Sequence, residues 1–426
     1  MIGNFLSGAK TRLLPVSIPF RFFTAAVFFY GLFWAALLWQ AGDITSYRLG
    51  SGPVLAVIHL ATLGVLTMTV IGASLQLLSV ATRKPFKGVW ICRLLSWMYI
   101  PGFLLLVYAM FTGWYMGMLS GAILAGLGLM LFFYLIMDNI RGVRGMVAIM
   151  AHCQAAMLSL LGLVTLGILL IINLEYGLFA DHAALASSHF VVAVFGFMSL
   201  LAMGFSYILV PMFALAPSPA EKIGRWSVGC NMVAIILALV GINGHHDAAI
   251  MAGLALGMVG AGLYLYGMIK IYRARMRKRL GTPFLLIRVA WAMLALTLFW
   301  GAAGSMGYWP DSGYALFALL AIAGWLLTFL AGILQRIIPF LSSMHSSGGG
   351  GVPMLVSEMA DARLLDIAAA GHLGGLFFVA LGIILDRDMV IRLGALAGVV
   401  GAVALFGYLI IILWQLRRKK AEKVTL

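Results

Sequence analysis

The 426 residues are 63 % hydrophobic and only 10 % charged, a balance that leaves too few polar groups to cover a water-soluble surface of this size. A formal charge of +15 would suit a nucleic-acid binder, but the cations lie in short segments between apolar runs, so the excess reads as a membrane-surface signal and excludes that class. Three scattered cysteines, Cys92, Cys153 and Cys230, form no CxxC or CxxCH, which excludes a thiolate metal motif and a covalently attached c-type haem.

The opening stretch MIGNFLSGAKTRLLPVSIPF has no apolar core followed by a small-residue cleavage site, so no removable signal peptide is predicted and residues 22–39 are expected as a retained span. Apolar runs of about twenty residues, enough to cross roughly 30 Å of hydrocarbon as a helix, then recur to the end. Twelve spans are predicted, centred near about residues 31, 66, 100, 126, 158, 200, 235, 258, 296, 326, 375 and 400. With both termini in the cytoplasm, all but three of the 28 Lys and Arg fall on the inner side, the exceptions being Arg48, Arg387 and Arg392. The inner cations include RKPFK at 83–87, Arg141 with Arg144, Lys222 with Arg225, RARMRKR at 273–279 and RRKK at 417–420. Under the positive-inside rule this fixes the topology in a bacterial-type inner (cytoplasmic) membrane, with the lipid bilayer as the first partner. One inner loop, residues 340–364, is long and carries SSGGGG, a flexible linker composition; the tail at 415–426 is basic.

One motif recurs. Span two reads HLATLGVLTMTVIGASLQLLSV from His59, with Gly64, Gly72 and Ser79. Span six has Gly196, Gly204 and Pro211 after His189, and span ten has Gly324, Gly332 and Pro339. In each the glycines are eight apart, the Pro or Ser follows seven later, and the copies begin 132 and then 128 residues apart. The chain is therefore predicted to be all-α, one polytopic membrane domain over 1–426 built as three pseudo-repeats of four helices, at 22–140, 145–272 and 284–414. Glycines on one face let a neighbouring backbone or a flat ring approach, and the proline is expected to stop or kink the helix where the chain leaves the bilayer.

Five of the eight histidines fall on or near the predicted outer face. His59 and His189 stand near the outer ends of spans two and six, His182 in the preceding outer loop, and His245 with His246 in the outer connection after span seven. His152 and His372 lie toward the inner parts of spans five and eleven, and His345 in the inner loop. Imidazoles projecting from facing helices are how a bundle holds haem iron or copper. His59 and His189 are read either as such ligands or as interfacial hydrogen-bonding residues, His245 and His246 as metal ligands or solvated loop residues, and His152 and His372 as cofactor ligands or helix-to-helix hydrogen bonders. His182 and His345 are expected to be solvated.

Twelve spans in three groups of four, with a histidine early in span two followed by paired small residues and an inner Pro or Ser, resemble the haem–copper oxidase subunit I superfamily. The likeness covers nearly the whole chain as architecture. In that family a span-two histidine near the outer face ligates the low-spin haem, and His59 matches it; a span-six histidine serves the copper centre, and His189 lies in that span. The family's paired copper histidines follow span seven, where this chain has GHHDAA with His245 and His246. Departures are equally specific. Span ten lacks the family's HxH and reads DSGYALFALLAIAG, with Tyr314 and Phe317, and His189 is followed by Phe190, Val191, Val192 and Ala193, with no carboxylate. No Asp or Glu is predicted in mid-membrane. The resemblance thus implies a histidine-reduced relative, in the broader group that includes the NnrS type of haem- and copper-binding membrane proteins linked to nitric oxide metabolism. That type's HxHE pattern is missing from span two, which reads IHLA at 58–61.

The resemblance implies a haem-binding redox protein, with a b-type haem and a copper ion as candidate cofactors and electron transfer or handling of nitric oxide or oxygen as the activity. His59 and His189 would be ligands, and Gly64, Gly72, Gly196 and Gly204 would admit the macrocycle. If an enzyme, it is an oxidoreductase but not a standard proton-pumping oxygen reductase, with other membrane redox subunits or a periplasmic cytochrome as partners. Two other classes stay open: a cofactor-free oxidase-like scaffold subunit of a larger membrane complex, and a transporter of an uncharged solute.

Overall fold

The computed structural model describes residues 13–47, 50–218, 220–346, 354–359 and 361–422, and among these every regular element is helical, with no strand. Twelve helices are long and apolar enough to cross a membrane: α1 (Ser17–Trp39), α2 (Pro53–Ala81), α3 (Val89–Thr112), α4 (Tyr115–Ile140), α5 (Val147–Tyr176), α6 (His182–Ala214), α7 (Glu221–Gly244), α8 (Asp247–Arg273), α9 (Thr282–Ser305), α10 (Gly313–Ser346), α11 (Ala362–Leu385) and α12 (Asp388–Arg418). Each predicted span falls on one of them. Helices are the natural answer to these runs, because a backbone in hydrocarbon must satisfy its own hydrogen bonds.

The bundle is built from hairpins around an inner layer. The pairs α3–α4, α7–α8 and α11–α12 share the most extensive contacts, and small residues set their closeness. A β-carbon on Gly102 would lie 2.3 Å from the Ala125 nitrogen of α4, and one on Gly371 would lie 2.6 Å from Gly401 of α12. The most apolar stretches of α2, α6 and α10 are 72, 78 and 89 % buried, and no other span exceeds 50 %, so these three helices form the interior.

All three inner helices widen at the same place. Leu60–Thr67 in α2, Val192–Ser199 in α6 and Leu319–Leu327 in α10 are π-helical, each inside an otherwise α-helical span. Extended π segments are rare and cluster at functional sites. The first glycine of each recurring motif, Gly64, Gly196 and Gly324, lies within one of these segments. A hydroxyl residue closes each. Thr67 donates to the Thr62 carbonyl (2.8 Å) and Thr328 to the Ala323 carbonyl (2.8 Å), both five residues back, while Ser199 accepts from Trp325 Nε1 (2.9 Å).

Two expectations about the ends of these helices change. Of the stop or kink expected at Pro211 and Pro339, the stop is not seen, and the helices run on to Ala214 and Ser346. Residues 340–346, read as the start of the inner loop, continue α10, and Ser343 Oγ donates to the Met354 carbonyl (2.6 Å), tying the returning chain to the helix. Most of the SSGGGG run, the extreme termini and Arg48 lie outside the described residues.

Candidate functional site

A cavity of about 540 Å³ reaches from the segments preceding α2 and α6 down to Met198 and Asn231, with α10 on one wall. That volume falls in the range of cofactor and small-molecule pockets, roughly 300–1,000 Å³. Its wall is largely aliphatic and aromatic, and among the described residues no Asp, Glu, Lys or Arg lines it. Three histidines do: His59, His182 and His189.

His59 stands one residue before the π segment of α2. Its Nδ1 lies 2.9 Å from the Leu55 carbonyl, one turn back. A carbonyl only accepts, so Nδ1 carries the proton and donates, which leaves the lone pair on Nε2. A backbone bond of this kind fixes an imidazole as a metal ligand and raises its basicity. His189 approaches the cavity from α6, three residues before its own π segment. Its Nδ1 is buried, and the ring lies near the Leu163 backbone. The ring seats against Gly167 of α5, where a β-carbon would come 3.2 Å from Cε1. The two imidazoles are near enough to interact electrostatically.

His182 was expected in a solvated loop but is the first residue of α6, with Asp181 capping that helix through a 2.8 Å bond from the Ala184 nitrogen. Seven residues separate it from His189, two helical turns, so both sit on one face of the helix. The Asn173 amide, oriented by a 2.6 Å bond from the Phe179 nitrogen to its Oδ1, donates from Nδ2 to His182 Nδ1 at 3.1 Å. His182 therefore carries its proton on Nε2. The cavity thus holds a lone pair at His59 Nε2 and a donor at His182 Nε2, opposite tautomers set by different neighbours. Tyr47 and Ser51 add hydroxyls, and burial raises the Tyr47 phenol above its ordinary range, keeping it neutral.

The remaining candidates are elsewhere. His245 and His246 are exposed and do not line the cavity; His245 Nε2 lies 3.6 Å from Asp181 Oδ2. His152 is buried in α5, its Nδ1 donating to the Ala148 carbonyl at 2.7 Å, while its Nε2 is buried without a partner and its ring centre lies 5.6 Å from that of Tyr207. His372 uses both nitrogens. Thr328 Oγ1 donates to Ala323, so it accepts from His372 Nε2 (2.7 Å), and Nδ1 in turn accepts from the Tyr30 hydroxyl (2.8 Å).

Nor do the paired glycines line the cavity. A β-carbon on Gly64 would meet Phe103 and Phe29, on Gly72 Phe22 and Phe23, on Gly196 Ser159, and on Gly204 His152, all at 3.1 Å or less. They receive side chains from α1, α3 and α5. Among the described residues no three His, Cys, Asp or Glu side chains gather as a metal cluster.

No protein-family model matches the sequence, and no curated protein matches it. Solved structures do. The chain is similar to that of a heme-copper terminal oxidase dimer solved by cryo-EM, with a TM-score of 0.63 and 12 % sequence identity over 95 % of this chain and 84 % of that one. At that identity the likeness is one of fold: this is a multi-pass helical membrane protein with the architecture of a haem–copper oxidase chain.

Proposed function

We propose that the cavity holds a b-type haem, in which His59 Nε2 would ligate the iron and His189 would ligate the same iron or a copper ion, and that the protein transfers electrons or handles a small gas such as nitric oxide or oxygen. One observation carries the proposal: two imidazoles from different inner helices share one apolar cavity, each with Nδ1 turned into the protein. The residues fit such a group. A haem bound there would supply one-electron chemistry and an iron site for a diatomic gas. The aliphatic wall excludes water and lowers the local dielectric, and the Leu55 carbonyl holds His59 in the ligating tautomer. The described lining offers no cation to the haem carboxylates, so Tyr47, Ser51 and the Nε2–H of His182 are the donors at hand.

Three repeats, 22–140, 145–272 and 284–414, are part of the same proposal, supported by π segments at matching places in α2, α6 and α10. So is an orientation with the cavity mouth outside and both termini in the cytoplasm, supported by where the Lys and Arg lie. A periplasmic cytochrome or another membrane redox subunit would then meet the mouth.

An optical spectrum and metal analysis of the purified chain test this. A Soret band lost in His59→Ala supports it, and a chain with neither Soret band nor bound iron or copper overturns it. In that event the second reading is a cofactor-free scaffold within a larger complex, favoured by the wall that α10 contributes, Phe317, Ala318 and Ile322, which carries no histidine. Co-purification with a metal-bearing partner would distinguish it.

A further inference from the structure

At the opposite end of the bundle, a second pocket of about 510 Å³ lies between the α2–α3 and α4–α5 connections. Arg83 and Lys84 line it from the first connection, Arg141 and Arg144 from the second, and no Asp or Glu is among its lining residues. Both connections are held in place. Asn139 Nδ2 donates to the Lys84 carbonyl (2.8 Å), Thr82 Oγ1 donates to Asn139 Oδ1 (3.0 Å), and Lys84 Nζ donates to the Asp138 carbonyl. The chain turns through left-handed residues on both sides, Arg83 at φ 57° and Gly142 at φ 76°.

The charge is not neutralised locally. Among the described residues, Asp138 is the one carboxylate that forms ion pairs beside the pocket, and it is shared between Lys84 (3.9 Å) and Lys87 (3.4 Å). None of Arg83, Arg141 and Arg144 lies within ion-pair distance of a described carboxylate, and all three are exposed. The C-termini of α2 and α4 open here, adding roughly half a negative charge each, well short of four cations. A cationic pocket of this kind calls for a phosphate.

We propose that this pocket binds the phosphate headgroup of an anionic phospholipid. Its position selects the lipid over a free anion. The pocket lies where four apolar helices end, and Trp90, the second residue of α3, stands exposed at that end, the residue type that anchors a helix at headgroup level. Basic pockets between spans on the positively charged side are where two-phosphate and other anionic lipids are held. The inference is independent of the histidine cavity, which lies at the other end.

The test is titration of the purified full chain, in neutral detergent, with short-chain phosphatidylglycerol, cardiolipin, phosphatidylcholine and inorganic phosphate, read by native mass spectrometry. The anionic lipids are expected to bind and phosphatidylcholine not to. The triple variant R83Q/R141Q/R144Q, which changes only exposed side chains, is expected to weaken anionic-lipid binding by about a hundredfold. The double variant K278Q/R279Q, on a different basic connection, should leave it unchanged. Equal binding of phosphatidylcholine, no loss in the triple variant, or inorganic phosphate displacing the lipid at equal concentration would each overturn the proposal.

Discussion

Gly167 of α5 packs against the imidazole of His189, so that a β-carbon there would approach Cε1 to 3.2 Å. Histidine placement in the cavity is thus set partly by a residue that is not itself polar. Gly167→Ala should push the ring toward the cavity or turn it, at a cost of about 1 kcal/mol in stability. Any absorbance or ligand affinity that depends on His189 should change while the far-ultraviolet circular dichroism stays the same. An unaltered spectrum in a chain that binds haem would separate His189 from the ligand set.

His59→Ala removes the lone pair opposite the Leu55 bond and nothing that holds the fold. Iron content is expected to fall at least about tenfold with the melting temperature little changed, since the side chain is only partly buried and the Leu55 carbonyl remains in its helix. Metal analysis and a thermal melt on one preparation check both halves.

His372→Ala should do the reverse. The change opens a void between α1, α10 and α11 and leaves the Tyr30 hydroxyl without its acceptor, together costing about 2–4 kcal/mol. A lower melting temperature with the optical spectrum intact is the expected result, and His372→Gln should recover part of the loss.

The hydroxyls that close the π segments can be removed singly. Thr67→Val and Ser199→Ala each delete one buried hydrogen bond, to the Thr62 carbonyl and from Trp325 Nε1, for about 1 kcal/mol apiece. Because the residues sit on different helices and share no partner, the two effects should add in thermal melts.

Much of this was legible in the chain. Twelve apolar runs gave twelve helices, because hydrocarbon leaves the backbone no alternative, and the recurring glycine motif led to His59 and His189, which do share a cavity. His182 was missed because hydropathy falls across DHAALASSH, although an aspartate at the cap position is a helix-start signal. The π segments left no trace in composition, since an extra residue per turn needs no particular residue type. Adjacent histidines at 245 and 246 were open to a metal pair or to a solvated loop, and the chain passes there between α7 and α8 with both side chains exposed. The glycines were read as admitting a neighbouring backbone or a flat ring, and neighbouring side chains take that space.

The π segments have a consequence for the rotational phase of the inner helices. One extra residue in a turn sets everything beyond it back by about 100°, the arc a residue occupies in an α-helix. In α2 the histidine end and the Gly72 end are therefore indexed separately, and a helical wheel drawn through both misplaces one of them. Deleting a single residue from the α-helical stretch between Met68 and Gly72, with the π segment left in place, would leave the span apolar and long enough to cross the bilayer, yet swing His59 by roughly a third of a turn relative to the glycine that seats the helix. The chain can keep its membrane topology through such a change and still lose the direction in which its first imidazole points.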